Sequence, residues 1–244
     1  MPSPAEFAIV IPARFASSRF PGKPLADIHG KPMIHHVWER CCAAATRDRV
    51  FVATDDARIR ATCASFGARV IMTPPDCATG TDRVARAAAR IESGFIVNVQ
   101  GDEPLIDPQD IVRVADTFRR LGARAVVNAM TAITDEREFR SRDVPKVAAA
   151  RDGRLLYMSR AAIPCSKSGA FAGAHKQVCI YAFSRQQLAA FVAAGERPPL
   201  ERVEDIEILR FLDLGIEVHM LALATASIAV DTPADLERVR AALG

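Results

Sequence analysis

Short apolar runs alternate along the first half of the chain with stretches whose apolar residues recur every three or four positions. Phe7–Ile11, Arg49–Ala53, Ala68–Met72 and Gly94–Gln100 are runs of the kind buried on both faces of a parallel sheet. Pro32–Ala45, Ala57–Phe66, Thr81–Ile91 and Pro108–Leu121 carry helical spacing between them. The alternation predicts an α/β chain, with a mainly parallel sheet and helices on both faces. The second half is less regular. Ala125–Thr131, Val144–Ala149, Leu155–Met158, Lys176–Phe183 and Glu217–Leu223 read as strands, and Gln186–Ala194, Val203–Leu214 and Pro233–Leu243 as helices. The small, polar stretch Ser166–His175 reads as a mobile loop.

Composition narrows the class without naming a chemistry. Half of the 244 residues are hydrophobic and a quarter charged, which supplies a sizeable core and excludes a disordered or fibrous chain. A net charge of +3 is too small for nucleic-acid binding by bulk electrostatics. No apolar run is as long as a membrane span, and Met1–Phe7 lacks the basic and apolar regions of a signal peptide, so the expectation is a cytoplasmic protein without a membrane partner. The six cysteines form no Cys-x-x-Cys pair and read as small buried hydrophobes, not as disulfides or zinc ligands.

Ligands of open α/β sheets bind beyond the carboxyl ends of the strands, and three polar clusters fall there. After the first strand, Ile11–Pro24 packs Arg14, Arg19 and Lys23 into one loop with glycine and small residues, a composition suited to a polyphosphate. The loop is neither a Gly-x-Gly-x-x-Gly turn nor a Walker loop, which disfavours an ordinary dehydrogenase or P-loop enzyme. Val97–Pro104 puts Asp102 just past a buried strand, where it either holds Mg²⁺ against a phosphate or simply forms a turn. In Ile228–Asp235, Asp231 ends an apolar stretch and Thr232 precedes Pro233 as a helix cap. The aspartate is a second metal ligand or part of that cap. His35 and His36 lie on a helix after the basic loop and read as structural or surface residues.

Taken together, Pro12–Leu25, Gly30–Ile34, Ala53–Asp55, Thr79–Thr81, Asn98–Pro104 and Val230–Pro233 resemble, in this order, the CMP-Kdo synthetases, the 3-deoxy-manno-octulosonate cytidylyltransferases. The likeness spans essentially the whole chain. It implies a Rossmann-like nucleotidyltransferase fold in a single domain that dimerises through a region inserted in the second half. Residues 1–124 would then be the CTP-binding half, 125–226 the acceptor and dimerisation region, and 227–244 the return to the core. The implied reaction joins CTP and an acidic sugar into a CMP-sugar and pyrophosphate with Mg²⁺. By the same resemblance Arg14, Arg19 and Lys23 hold the triphosphate, Pro12, Ala13, Thr79, Gly80, Thr81 and Gln100 lie at the nucleotide, and Asp102 and Asp231 hold the metal. A nucleotide-binding regulator without turnover is the alternative, and the intact pair Asp102 and Asp231 beside the three cations argues against it.

The acceptor half departs from the family pattern. Arg160, in Tyr157–Pro164, matches an arginine that meets the acceptor, and Gln100, Lys176 and Glu207 belong to the same implied set. Gln177 stands where the family has histidine, Phe183 where it has tyrosine, and Ile208 where it has glutamine. A site that discriminates through hydrogen bonds loses much when they go. Either water and neighbours substitute, or the small anionic acceptor differs: an amino-substituted Kdo, or a phosphonate such as phosphonoformate that needs Arg160, Lys176 and the metal but no full polyol pocket.

Overall fold

The computed structural model describes residues 6–16, 19–224 and 227–244. Met1–Ala5, on which most of the signal-peptide reading rests, Ser17–Ser18 of the basic loop, and the boundary at Ala226 lie outside the described residues. The chain runs β1 (Phe7–Ala13), a 3-10 turn (Lys23–Leu25), the short hairpin β2 (Asp27–Ile28) and β3 (Lys31–Pro32), and α1 (Met33–Ala44). It continues through β4 (Val50–Thr54), α2 (Ala57–Ser65), β5 (Arg69–Met72), α3 (Gly80–Ala88), β6 (Phe95–Val99) and α4 (Pro108–Leu121). The second half supplies β7 (Val126–Ile133), α5 (Glu136–Arg140), β8 (Lys146–Ala149), β9 (Leu155–Ser159), β10 (Ala174–Phe183) and α6 (Arg185–Ala193). It ends with α7 (Pro199–Glu204), α8 (Leu209–Asp213), β11 (Val218–Leu223) and α9 (Pro233–Leu243).

The main sheet has the order β11-β7-β10-β6-β1-β4-β5, with β8 and β9 attached beside β10. Neighbours β1, β4, β5 and β6 are parallel, as are β7 and β11, while β10 runs antiparallel between β6 and β7. Strand β1 shows why a continuous apolar run belongs at the centre. Ile9 and Ile11 face a core built with α1, α2 and α4, while Ala8 and Val10 face a second core built with α3, α6 and α8. The expected α/β architecture is therefore the observed one. α9 packs Leu236 and Val239 on Ile28 and Met33 in a smaller third cluster, which returns the end of the chain to the hairpin and α1.

Two expectations fail locally. Val203–Leu214 is not one helix: it splits into α7 and α8, and Asp205 takes a left-handed φ of 52° between them. The break lets the Glu207 carboxylate accept hydrogen bonds from the backbone N–H groups of Gly80 (2.9 Å) and Thr81 (2.8 Å), the first turn of α3. Strand β10 starts at Ala174, because β8 and β7 both offer it ladder partners there, so the loop before it is shorter than the sequence suggests. All six cysteines are free thiols, and Cys41 and Cys63 are buried, but Cys165 is exposed in that loop. The histidines are structural: His35 stacks on Phe66 with 4.1 Å between ring centroids, and His36 Nε2 lies 3.0 Å from the Ile28 carbonyl.

Candidate active site

A cavity of about 670 Å³ opens at the carboxyl ends of β1 and β6 and is walled on the far side by β10 and the α7–α8 corner. Pro12, Ala13, Arg14, Arg19 and Lys23 line it from β1 and the basic loop, Thr79 and Gly80 from the start of α3, and Gln100 and Asp102 from the end of β6. Thr81 lies just inside α3, buried. The loop is closed at its base, where Gly22 N–H donates to the Phe15 carbonyl at 2.9 Å. Two glycines permit the close fit of these segments. A Cβ on Gly101 would stand 2.8 Å from the Pro12 carbonyl oxygen, and one on Gly80 would stand 2.9 Å from Gln100 Nε2.

Asp102 and Asp231 come together although each follows a different element. Val230 N–H donates to the Asp102 carbonyl at 2.9 Å, which fixes the strand-end turn against the entry to α9. Thr232 caps α9 in a reciprocal box with Asp235, as its sequence suggests, so Asp231 is left to face the cavity. Lys23 Nζ lies 2.6 Å from Asp102 Oδ2 and 3.4 Å from Asp231 Oδ1, and Arg19 Nη2 lies 2.9 Å from Asp231 Oδ1. Burial alone would lower the Lys23 pKa, but the two carboxylates outweigh it and hold the ammonium above its ordinary value. Among the described residues no three metal-ligating side chains gather into a cage. Two hard carboxylates beside a cationic loop are instead the donor set with which Mg²⁺ is held against substrate phosphates, so Asp102 and Asp231 fit that ion.

The acceptor-side residues divide. Gln100, Arg160, Gln177 and Glu207 line the cavity. Phe183 does not: it is 0% exposed and packs on Tyr181 and Phe211 in the core. Ile208 is 1% exposed in the same core, because the α7–α8 break turns Glu207 to the cavity and its neighbour inward. Lys176 lies outside the cavity lining and pairs with Glu138 of α5. Of the three departures from the family pattern, only Gln177 faces the cavity. Arg160 faces it too, but its guanidinium is spent on backbone carbonyls, those of Glu204 (2.6 Å), Arg142 (3.0 Å) and Asp205 (3.0 Å).

Sequence reasoning missed three groups. Arg142 lines the rim, exposed, and no partner meets its side chain among the described residues. Its loop is knitted by Arg160 and by buried Lys146, whose ammonium donates to the carbonyls of Ser141, Val144 and Arg160 at 2.6 Å each. Asn128 is fully buried behind Gln177. Glu103 is 3% exposed, and its Oε2 has no partner. Burial, reinforced by the charge of Asp102, pushes its pKa up to about 7. The Asn within Val126–Ala129 was a polar residue in an apolar run, a signal available beforehand.

The architecture and site define a class: a mainly parallel sheet whose first loop gathers cations, with one carboxylate after its central strand and a second at the entry to the last helix, belongs to a nucleotidyltransferase. The family model described as cytidylyltransferase matches residues 8–218. The chain is 45% identical over 243 residues to the 3-deoxy-manno-octulosonate cytidylyltransferase of Syntrophotalea carbinolica, covering 96% of this chain and 97% of that one. It is 40% identical over 237 residues to the 8-amino-3,8-dideoxy-manno-octulosonate cytidylyltransferase of Shewanella frigidimarina, covering 94% and 95%. Among solved structures, a CMP:2-keto-3-deoxy-manno-octonic acid synthetase complexed with CTP superposes with a TM-score of 0.88 at 40% identity, covering 98% of each chain. The chain belongs to the cytidylyltransferase family of CTP-dependent nucleotidyltransferases, in the branch of the 3-deoxy-manno-octulosonate enzymes.

Proposed function

We propose that this chain transfers CMP from CTP to 3-deoxy-manno-octulosonate, with release of pyrophosphate. The observation that carries the reading is the meeting of Asp102 and Asp231 at Lys23 Nζ, at the junction of the cationic loop and the β10 wall of one cavity. Arg14, Arg19 and Lys23 would neutralise the triphosphate and the charge that grows on the departing pyrophosphate. The acceptor's hydroxyl oxygen forms the new bond to the α-phosphorus as the bond to the pyrophosphate oxygen breaks, and the hydroxyl proton leaves to water. Asp102 and Asp231 would hold Mg²⁺, which when bound polarises the α-phosphate and makes the hydroxyl more acidic. No nucleophilic side chain is required.

The same reading makes the protein a cytoplasmic homodimer. Leu156 of β9 and Leu200 and Val203 of α7, exposed at 52%, 48% and 80%, are apolar side chains of the second half that such a contact would bury. No helix among the described residues is long and apolar enough to cross a membrane. The test is pyrophosphate release from CTP and 3-deoxy-manno-octulosonate with Mg²⁺ and with a chelator. Release that requires both acceptor and Mg²⁺ supports the reading, and undiminished release in chelator removes the metal from it.

A further inference from the structure

Behind the cavity wall the β7–β10 ladder is irregular. Register passes from Val178 opposite Ala129 to Tyr181 opposite Asn128, so β10 bulges there. A bulge leaves backbone groups without ladder partners. Asn128 supplies them: its Nδ2 donates to the carbonyls of Val178 and Ile180, both at 2.9 Å. Only the amide nitrogen can face two carbonyls, so the Asn128 orientation is fixed by its partners. Its Oδ1 therefore faces the other way, where it accepts a hydrogen bond from Gln177 Nε2 at 2.9 Å. That in turn fixes the second amide. The nitrogen of Gln177 is turned to Asn128, and its Oε1 meets no partner among the described residues, although the side chain lines the cavity.

We propose that Gln177 Oε1, turned by Asn128, is a specificity-determining hydrogen-bond acceptor of this cavity. It selects a substrate that presents an O–H or N–H at that point over one built only of anionic oxygens. The inference rests on the cytidylyl transfer proposed above and names the chemistry its acceptor side demands. A carbonyl oxygen presents the negative end of its dipole. Beside a hydroxyl or ammonium it completes a bond, and beside an ionised phosphonate it repels. Asn128 is a positioning residue: it touches no substrate and acts through the amide it orients.

The test compares 3-deoxy-manno-octulosonate, its 8-amino analogue and phosphonoformate as acceptors, by pyrophosphate release from CTP at pH 8.5, where phosphonoformate is fully ionised. The wild-type protein should prefer the two sugar acids. Gln177→Met keeps the size and removes the oxygen, and should raise the sugar-acid KM by about 3- to 10-fold, the size of one neutral hydrogen bond, with the CTP KM unchanged. Asn128→Thr keeps a donor for the bulge but no longer fixes the amide, and should raise the same KM. Combining the two should add little further, because both remove one contact. A preference for phosphonoformate, an unchanged sugar-acid KM in Gln177→Met, or fully additive effects would overturn the proposal. Release with none of the three acids would remove cytidylyl transfer itself, and the inference with it.

Discussion

Glu103→Gln should stabilise the protein in alkaline solution and barely change it in acid. Glu103 is almost completely enclosed, one carboxyl oxygen has no partner, and its pKa stands at about 7 against an ordinary 4.5. The folded state therefore keeps the proton when the unfolded chain has released it. Stability is unimpaired below the unfolded value and is lost as pH rises from about 4.5 through about 7, since the folded form binds more protons across that window. At roughly 1.4 kcal/mol per pH unit, the wild-type penalty is roughly 3 kcal/mol at pH 8 and under about 1 kcal/mol at pH 5. Glutamine has the same shape and never ionises, so the variant escapes the penalty. For a chain of this length, thermal unfolding without CTP should show its Tm advantage growing by roughly 5–10 °C between pH 5 and pH 8. Comparing the two proteins at each pH cancels the other titrating groups. Parallel Tm curves for wild type and variant would refute the claim that Glu103 is held neutral.

Asp102→Asn or Asp231→Asn keeps size and removes charge, and each should cut turnover by several orders of magnitude while circular dichroism stays native; near-normal turnover at low Mg²⁺ would contradict the metal assignment. Arg19→Ala and Lys23→Ala each remove a charge-assisted phosphate contact of roughly 1.5–3 kcal/mol, so CTP titrations should show affinity falling about tenfold or more. Lys23→Ala also leaves the carboxylate pair without the ammonium it shares, and its loss should be the larger of the two. Arg142→Ala should raise the acceptor KM and spare the CTP KM in steady-state kinetics, because its guanidinium is the cation on the acceptor rim that no protein group engages among the described residues.

The alternation of strands and helices in the first half was legible because β1, β4 and β6 are buried on both faces and the helices between them on one. What the pattern could not show was β10 running antiparallel between β6 and β7, since a strand's direction leaves no trace in its own residues. That strand decides the acceptor wall. Its placement buries Phe183 and presents Gln177, though both departed from the family motif and both looked equally significant in the sequence. Ile208 departs from its motif position for a different reason. Motif position put it at the substrate, while the apolar positions Ile206, Leu209 and Phe211 around it already assigned it to the core. The break that separates it from Glu207 depends on backbone amides of α3, over a hundred positions away in sequence, and no local signal reports them. The cationic loop and Asp102 were easier to see, because each follows a buried strand and carries more charge than a turn needs; Asp231 instead follows irregular chain at the entry to α9, although its apolar approach reads as a strand end.

The most direct measurement of the central claim is a product analysis. Purified protein is incubated with CTP, Mg²⁺ and 3-deoxy-manno-octulosonate, and the mixture is followed by mass spectrometry and by phosphate-resolved NMR. The account predicts a CMP ester of the sugar acid and pyrophosphate appearing in equal amounts, with neither formed by Asp102→Asn. Conversion of CTP to CMP or CDP without the sugar ester, or equal ester formation by Asp102→Asn, would contradict it.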